Sequence, residues 1–245
     1  MPRIEICVID HRDHDHQPAG SIIDTWYWKP GMPPGTEYAD YCALWERWEH
    51  HNRYPPEHAP EIIGFFGYRK YLYPNLHIFA SDDWLTPAHA PNWWQCKEGW
   101  FDDYRNWLSN YDGGWYKREL AQYDILQAAP FPLTCGILND FAVSRSRNDA
   151  ITIGQAFLRA GISVRRHQIY PYLFITRWSV FDRMMREIEP IRLQLHGKCR
   201  GEDSTNEEYK KRPMAYVMER VYSLWLENSG LSIKEMPLLH CWEKH

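Results

Sequence analysis

The chain has 245 residues, 44% hydrophobic and 24% charged, a balance that supports a core and excludes global disorder. No apolar run approaches the ~20 residues of a membrane-crossing helix, and Met1-Pro2-Arg3-Ile4 runs straight into a strand-like segment without an export signal. A cytoplasmic protein with no transmembrane segment is expected. The net charge of −4 is uneven, because residues 1–140 hold 11 Lys and Arg against 20 Asp and Glu while residues 141–200 hold 11 against 4.

In chain order, Ile4 to Ile9 alternates and is β-rich, which predicts a first, central strand. His11 to Gly35 is polar with Pro and Gly and predicts a loop. Tyr38, Tyr41, Cys42, Trp45 and Trp48 fall at helical spacing. The prolines between Asn52 and Pro60 end that helix, and Ile62 to Phe66 reads as a buried strand stopped at Gly67. Residues 74–118, rich in Trp, Asp and Asn, predict loops and short helices.

Tyr123 to Leu126 and Tyr172 to Ile175 are further strand candidates, and Ile151 to Arg159 is a helix stopped by Gly161. Ser179 and Asp182 have the spacing of a capping box, ahead of a helix that turns Phe181, Met184, Met185 and Ile188 inward. Met214, Val217, Met218, Val221, Leu224 and Trp225 share one helical face, with Pro213 at the start where its missing N–H costs little. Strands alternating with helices predict an α/β fold in one domain spanning 1–245.

The chain has 13 Trp, 16 Tyr and 9 Phe. Sugar faces and nucleobases stack on such rings, although most rings belong in a core. Cys7, Cys42, Cys96, Cys135, Cys199 and Cys241 form no Cys-x-x-Cys pair, so neither a zinc knuckle nor a disulfide framework is indicated, and Cys7 and Cys42 read as buried thiols. The basic middle, with Arg145, Arg147, Arg159, Arg165, Arg166 and Arg177, suits an anionic partner, a diphosphate or a nucleic-acid backbone, and equally a solvated face.

Four clusters have the residue types for chemistry. His11-Arg12-Asp13-His14-Asp15-His16 follows the first strand, where open α/β sheets bind ligands. Its Asp13 and Asp15 with neighbouring imidazoles suit a divalent cation, and the same composition also describes a solvated loop. Tyr68-Arg69-Lys70-Tyr71 places two cations after an apolar strand, which suits a diphosphate leaving group or a plain surface pair. Asp82 and Asp83 suit a base or a metal, and equally an exposed loop or a helix start. Glu219 and Arg220 are adjacent on a helix, so each is expected to pair elsewhere. No phosphate-binding Gly loop, nucleophile elbow or His-Glu-x-x-His motif occurs.

These blocks together resemble a bacterial and phage family first catalogued as a domain of unknown function. Its members occur in capsular and exopolysaccharide gene clusters and are taken for glycosyltransferases. Val8-Ile9-Asp10-His11-Arg12 resembles its opening strand, and Asp40 to Trp48 its first helix, best at Ala43, Leu44 and Trp48. Gly64 to Tyr71 resembles its Gly-x-x-His-Tyr-Arg-Arg-Tyr hallmark. Phe174-Ile175 through Val180-Phe181-Asp182 resembles a further block, and Ala215 to Leu226 its closing helix. The order is kept over nearly the whole chain. Gly67 stands where the family has His, Lys70 where it has the second Arg, and Tyr172-Leu173 where it has Asn-Met.

The resemblance implies a GT-A-like (Rossmann-like) nucleotide-sugar-binding sheet flanked by helices. It implies transfer of a sugar from a nucleotide-sugar co-substrate to a hydroxyl of an acceptor, a glycan or lipid-linked. On that reading Tyr68, Arg69, Lys70 and His11 bind the donor, Asp13 and Asp15 bind a divalent cation (Mn or Mg), and Asp82, Asp83 and Asp140 are candidate bases. Two other readings stand beside it. A phage-type DNA glycosyltransferase would act on a hydroxylated base of modified nucleic acid, and a sugar-binding module would keep the scaffold without catalysis.

Overall fold

β1 (Ile4–Ile9) and β3 (Ile62–Phe66) form where the alternation and the apolar run predict strands, and they pair in parallel, with Ile4 opposite Ile62 and Val8 opposite Phe66. The computed structural model describes residues 3–9, 23–28, 39–66, 70–72, 85–87, 93–96, 113–164 and 168–241. On the other side of β1 lies β2 (Ile23–Trp28), also parallel, inside the segment expected to be loop. Flanking polar residues, Pro and Gly hid a short run of β-branched and aromatic residues that fits a pleated surface.

β7 (Ile125–Ala128), β10 (Phe174–Arg177) and β11 (Ile233–Met236) complete a six-stranded sheet in the order β11-β7-β10-β3-β1-β2. β10 runs antiparallel to both β3 and β7, and the other ladders are parallel. β7 and β10 each start two residues later than the sequence predicts. Asp124 is held outside the strand by Ser232, and Leu173 is held in a turn by the Pro171 carbonyl at 2.8 Å.

Among the described residues, segment 74–118 contains the short strands β5 (Leu85–Pro87) and β6 (Trp93–Cys96) and most of a helix, α2 (Gly114–Leu120). β4 (Lys70–Leu72), β12 (Leu238–Cys241), β6 and β5 form a second sheet, and β8 (Phe131–Pro132) pairs with β9 (Gln168–Ile169).

One face of the large sheet is covered by α1 (Ala39–Asn52), α3 (Ile137–Ser144), α4 (Arg147–Arg159), α5 (Trp178–Leu195), the short α6 (Glu207–Lys211) and α7 (Pro213–Asn228). The inward faces of α5 and α7 are those the helical spacing predicts. α5 starts one residue before Ser179 with no side-chain cap, so the Ser179–Asp182 box is not its start. Asp182 is engaged instead by Trp48 Nε1 at 2.8 Å and Arg186 Nε at 2.9 Å.

The aromatic residues fill this core and also tie helices together. Trp48 donates to Asp182, Tyr41 to Glu189 at 2.5 Å and Trp225 to Glu187 at 2.7 Å. The seven-residue spacing on both partners sets α1 antiparallel to α5. Tyr41 and Trp225 keep their rings buried and Trp48 keeps its ring partly so, while each polar tip is satisfied. Cys7 is buried as expected, whereas Cys42 is only partly so. Burial, and next to it the charge of Glu46, pushes the Cys42 thiol up to about 11, and burial followed by Asp149 pushes Cys199 up to about 12. Neither is a poised nucleophile.

The amino end of α4 is capped twice. Ser146 accepts from Asp149 N at 3.0 Å, which starts the helix four residues before Ile151. Asp203 accepts from Arg147 N and Asn148 N at 2.9 and 3.1 Å. Buried Asp149 itself accepts from Gly201 N at 2.8 Å, from Arg200 N at 3.3 Å and from the Tyr209 hydroxyl. Asp149→Ala strands these donors, and a loss of about 3 kcal/mol in urea unfolding is expected. A loss under about 1 kcal/mol would mean the 199–206 turn holds itself.

Candidate functional site

The parallel strands end along one edge of the large sheet: β1 at Ile9, β3 at Phe66, β7 at Ala128 and β11 at Met236. The strand after β1 lies to one side of it, and the chain then crosses through α1 to β3 on its other side. The strand order therefore reverses at the carboxyl end of β1, where open α/β sheets form their ligand crevice.

His11, Asp13 and Asp15 come after β1, and Tyr68 and Arg69 after β3, whose last paired residues Val8 and Phe66 are opposite one another. His11, Asp13, Asp15, Tyr68, Arg69, Asp82 and Asp83 lie outside the described residues. Lys70 opens β4, its backbone opposite His240 of β12. The second sheet is joined to this edge twice, since β4 follows β3 and β12 follows β11. Among the described residues no group of three or more His, Cys, Asp or Glu could hold a metal.

β10 presents its amino end to the same edge, and buried polar side chains gather there. Gln127, penultimate in β7, donates to the Pro171 carbonyl at 2.8 Å and accepts from the Tyr222 hydroxyl of α7. Burial, then the nearby Tyr170, holds the Tyr222 hydroxyl protonated well above its ordinary range. The Tyr172 hydroxyl donates to the Met218 carbonyl, and Tyr170 N donates to Ser223 Oγ at 2.9 Å. The middle of α7 is thereby fixed level with the strand ends.

Asp140 is the candidate base that the structure describes. It lies on α3, 3.8 Å from Nη2 of Arg220 on α7. Arg220 also donates to Glu219 at 2.5 Å, so the adjacent pair expected to part on the helix meets after all. Arg220 lies over the Phe141 ring and its side chain is 5% exposed, against 29% for Asp140 and 35% for Glu219. Burial explains the pairing: with no solvent to reach, the guanidinium turns along its own helix to the nearest carboxylate. Beside it, Arg145 stacks over Tyr216, as does Arg212. Sequence reading flagged Arg145 only as part of a basic block, and Arg212 and Tyr216 gave no signal.

Four arginines of the basic segment 141–200 are paired internally. Arg177 pairs with Asp124 at 2.6 Å, Arg183 with Glu187 at 2.9 Å, Arg186 with Asp182 at 2.9 Å and Arg192 with Glu189 at 2.6 Å. No helix among the described residues is long and apolar enough to cross a membrane.

No protein-family model matches the sequence, and no curated protein does. Among solved structures the chain is similar to the apo form of the bifunctional glycosyltransferase WbbM, with a TM-score of 0.67 and 17% identity. The match covers 98% of this chain and 45% of that one, so the chain spans less than half of that protein's length. The mixed α/β fold, a mostly parallel sheet flanked by helices, is thus one that a glycosyltransferase also has.

Proposed function

We propose that this chain is a glycosyltransferase that moves a sugar from a nucleotide-sugar donor to the hydroxyl of a glycan or lipid-linked acceptor. The observation that carries this reading is the strand-order reversal at the carboxyl end of β1, in a fold matched to WbbM over 98% of the chain. The motif clusters of the sequence follow the two strands that meet at that reversal.

The reaction asks for two things. Positive charge forms on the sugar carbon as the bond to the diphosphate breaks, and negative charge grows on the departing diphosphate. In this reading Arg69 and Lys70 take up the diphosphate charge, with Tyr68 and His11 beside the donor. Asp13 and Asp15, flanked by imidazoles, have the donor set of a divalent-cation site, Mn or Mg, which would add further positive charge at the diphosphate. Asp82 or Asp83 removes the acceptor proton. Asp140, shared with the buried Arg220, is better suited to hold that guanidinium in place.

The pairing of Arg177, Arg183, Arg186 and Arg192 removes four cations from the stripe that a nucleic-acid acceptor calls for. Release of nucleoside diphosphate from one of a panel of nucleotide sugars, by the purified chain with manganese, tests the proposal. Retained sugar binding with no release from any donor would make the chain a binding module. Release stimulated by hydroxylated DNA in a salt-sensitive way would move the acceptor to nucleic acid.

A further inference from the structure

Ser144 Oγ, Arg145 Nε and Arg220 Nε are all buried without a hydrogen-bond partner among the described residues. These three donors belong to one seam, between the end of α3 and the first half of α7. Arg220 packs on Phe141 and reaches Asp140, while Arg145 stacks on Tyr216 one turn earlier on α7. Buried polar atoms are nearly always satisfied, so three orphan donors in one place call for an acceptor that folding alone does not supply.

The charges give the sign of that acceptor. Arg145, Arg212 and Arg220 line the seam against two carboxylates, Asp140 and Glu219. One of the Arg145 nitrogens is already used on the Ser144 carbonyl at 2.9 Å, which fixes the plane of the guanidinium. Tyr216 carries the Arg145 and Arg212 guanidiniums at 4.9 and 5.4 Å from its ring centroid. Two guanidiniums held on one tyrosine ring, with a buried third one turn along the same helix, suit an oxyanion.

The seam also has a definite place. Met218 and Ser223, on either side of Glu219 and Arg220, are bonded to Tyr172 and Tyr170 at the carboxyl edge of the large sheet. We infer that the α3–α7 seam is an anion subsite beside the reaction crevice, taking a phosphate or carboxylate group carried by the acceptor. This deepens the transferase reading and rests on it for the word acceptor. The anion site itself does not depend on that reading.

The test is direct binding of small anions to the full chain, followed by titration calorimetry with inorganic phosphate and, separately, acetate. Four proteins are compared: wild type, the seam variant R145Q/R212Q, the buried variant R220K, and R69A/K70A at the donor cluster. In the seam variant Arg212 is exposed and Arg145 half-buried, so it guards against a fold defect in R220K, and the unfolding midpoint of each variant is measured alongside. The inference predicts saturable anion binding that R145Q/R212Q weakens about tenfold or more and that R69A/K70A leaves in place. Phosphate binding would mark a phosphorylated acceptor, and acetate binding alone an acidic sugar. Anion binding that is absent in wild type, or that survives in R145Q/R212Q and disappears in R69A/K70A, overturns the seam. In the last case donor binding at Arg69 and Lys70 still stands, so the two readings fail separately.

Discussion

Replacing Arg47 with methionine is expected to cost about 3–5 kcal/mol of folding stability, the penalty for leaving a buried charge without its partner. Glu5 is fully buried on β1 beneath α1. Arg47 reaches its Oε1 through Nε at 2.7 Å and Nη2 at 2.6 Å, and His51 donates to Oε2 at 3.1 Å. Arg3 is more distant, 3.9 Å from Oε2. Burial alone would raise the Glu5 carboxyl, but the His51 hydrogen bond and the Arg47 charge outweigh it and hold the group below its usual value. A carboxylate depressed in this way contributes stability above its unfolded pKa and loses it as pH falls through the folded one. Urea unfolding should therefore show the gap between wild type and R47M narrowing as the pH falls into and below the ordinary glutamate range. E5M/R47M, with both charges removed, should recover most of the loss. A gap that is constant from neutral to acid pH, or a double variant as weak as R47M, would contradict the assignment.

The second large effect is catalytic. R69A and K70A should each lower transfer by about 100-fold or more, the usual consequence of removing a charge that meets the developing anion. The loss should sit in kcat more than in KM, because the added charge on the diphosphate exists only as the bond breaks. Unfolding midpoints should hardly move, which separates this effect from that of R47M. Equal loss in kcat and stability, or activity unchanged in both variants, would remove these residues from the reaction.

How much of this was legible in the sequence follows the physics of each element. β1, β3 and the inward faces of α5 and α7 announce themselves, because a period of two or of 3.6 is written directly in side-chain polarity. β2 does not, since Ile23–Trp28 sits among polar residues, Pro and Gly, and its parallel pairing with β1 is a tertiary contact that no local pattern states. The start of α4 is legible only in retrospect, from Ser146 and Asp149, whose capping also depends on Asp203 more than fifty residues away. The switch point follows from strand order, which no local pattern states. The α3–α7 seam is the extreme case: Asp140, Arg145, Arg212, Tyr216 and Arg220 come together through tertiary packing, and Glu219–Arg220 meets against the helix rule because burial leaves the guanidinium nowhere else to turn.

The central claim is that the carboxyl edge of the large sheet binds a nucleotide sugar. A thermal-shift screen of nucleotide sugars and nucleoside diphosphates, each with and without manganese, tests it most directly, since a ligand of the native state raises apparent stability by mass action. The account predicts a rise in Tm with one nucleotide class, which R69A/K70A reduces more for the nucleoside diphosphate than for the nucleotide sugar. Well-folded protein whose Tm is unmoved by every nucleotide, with and without metal, would contradict it.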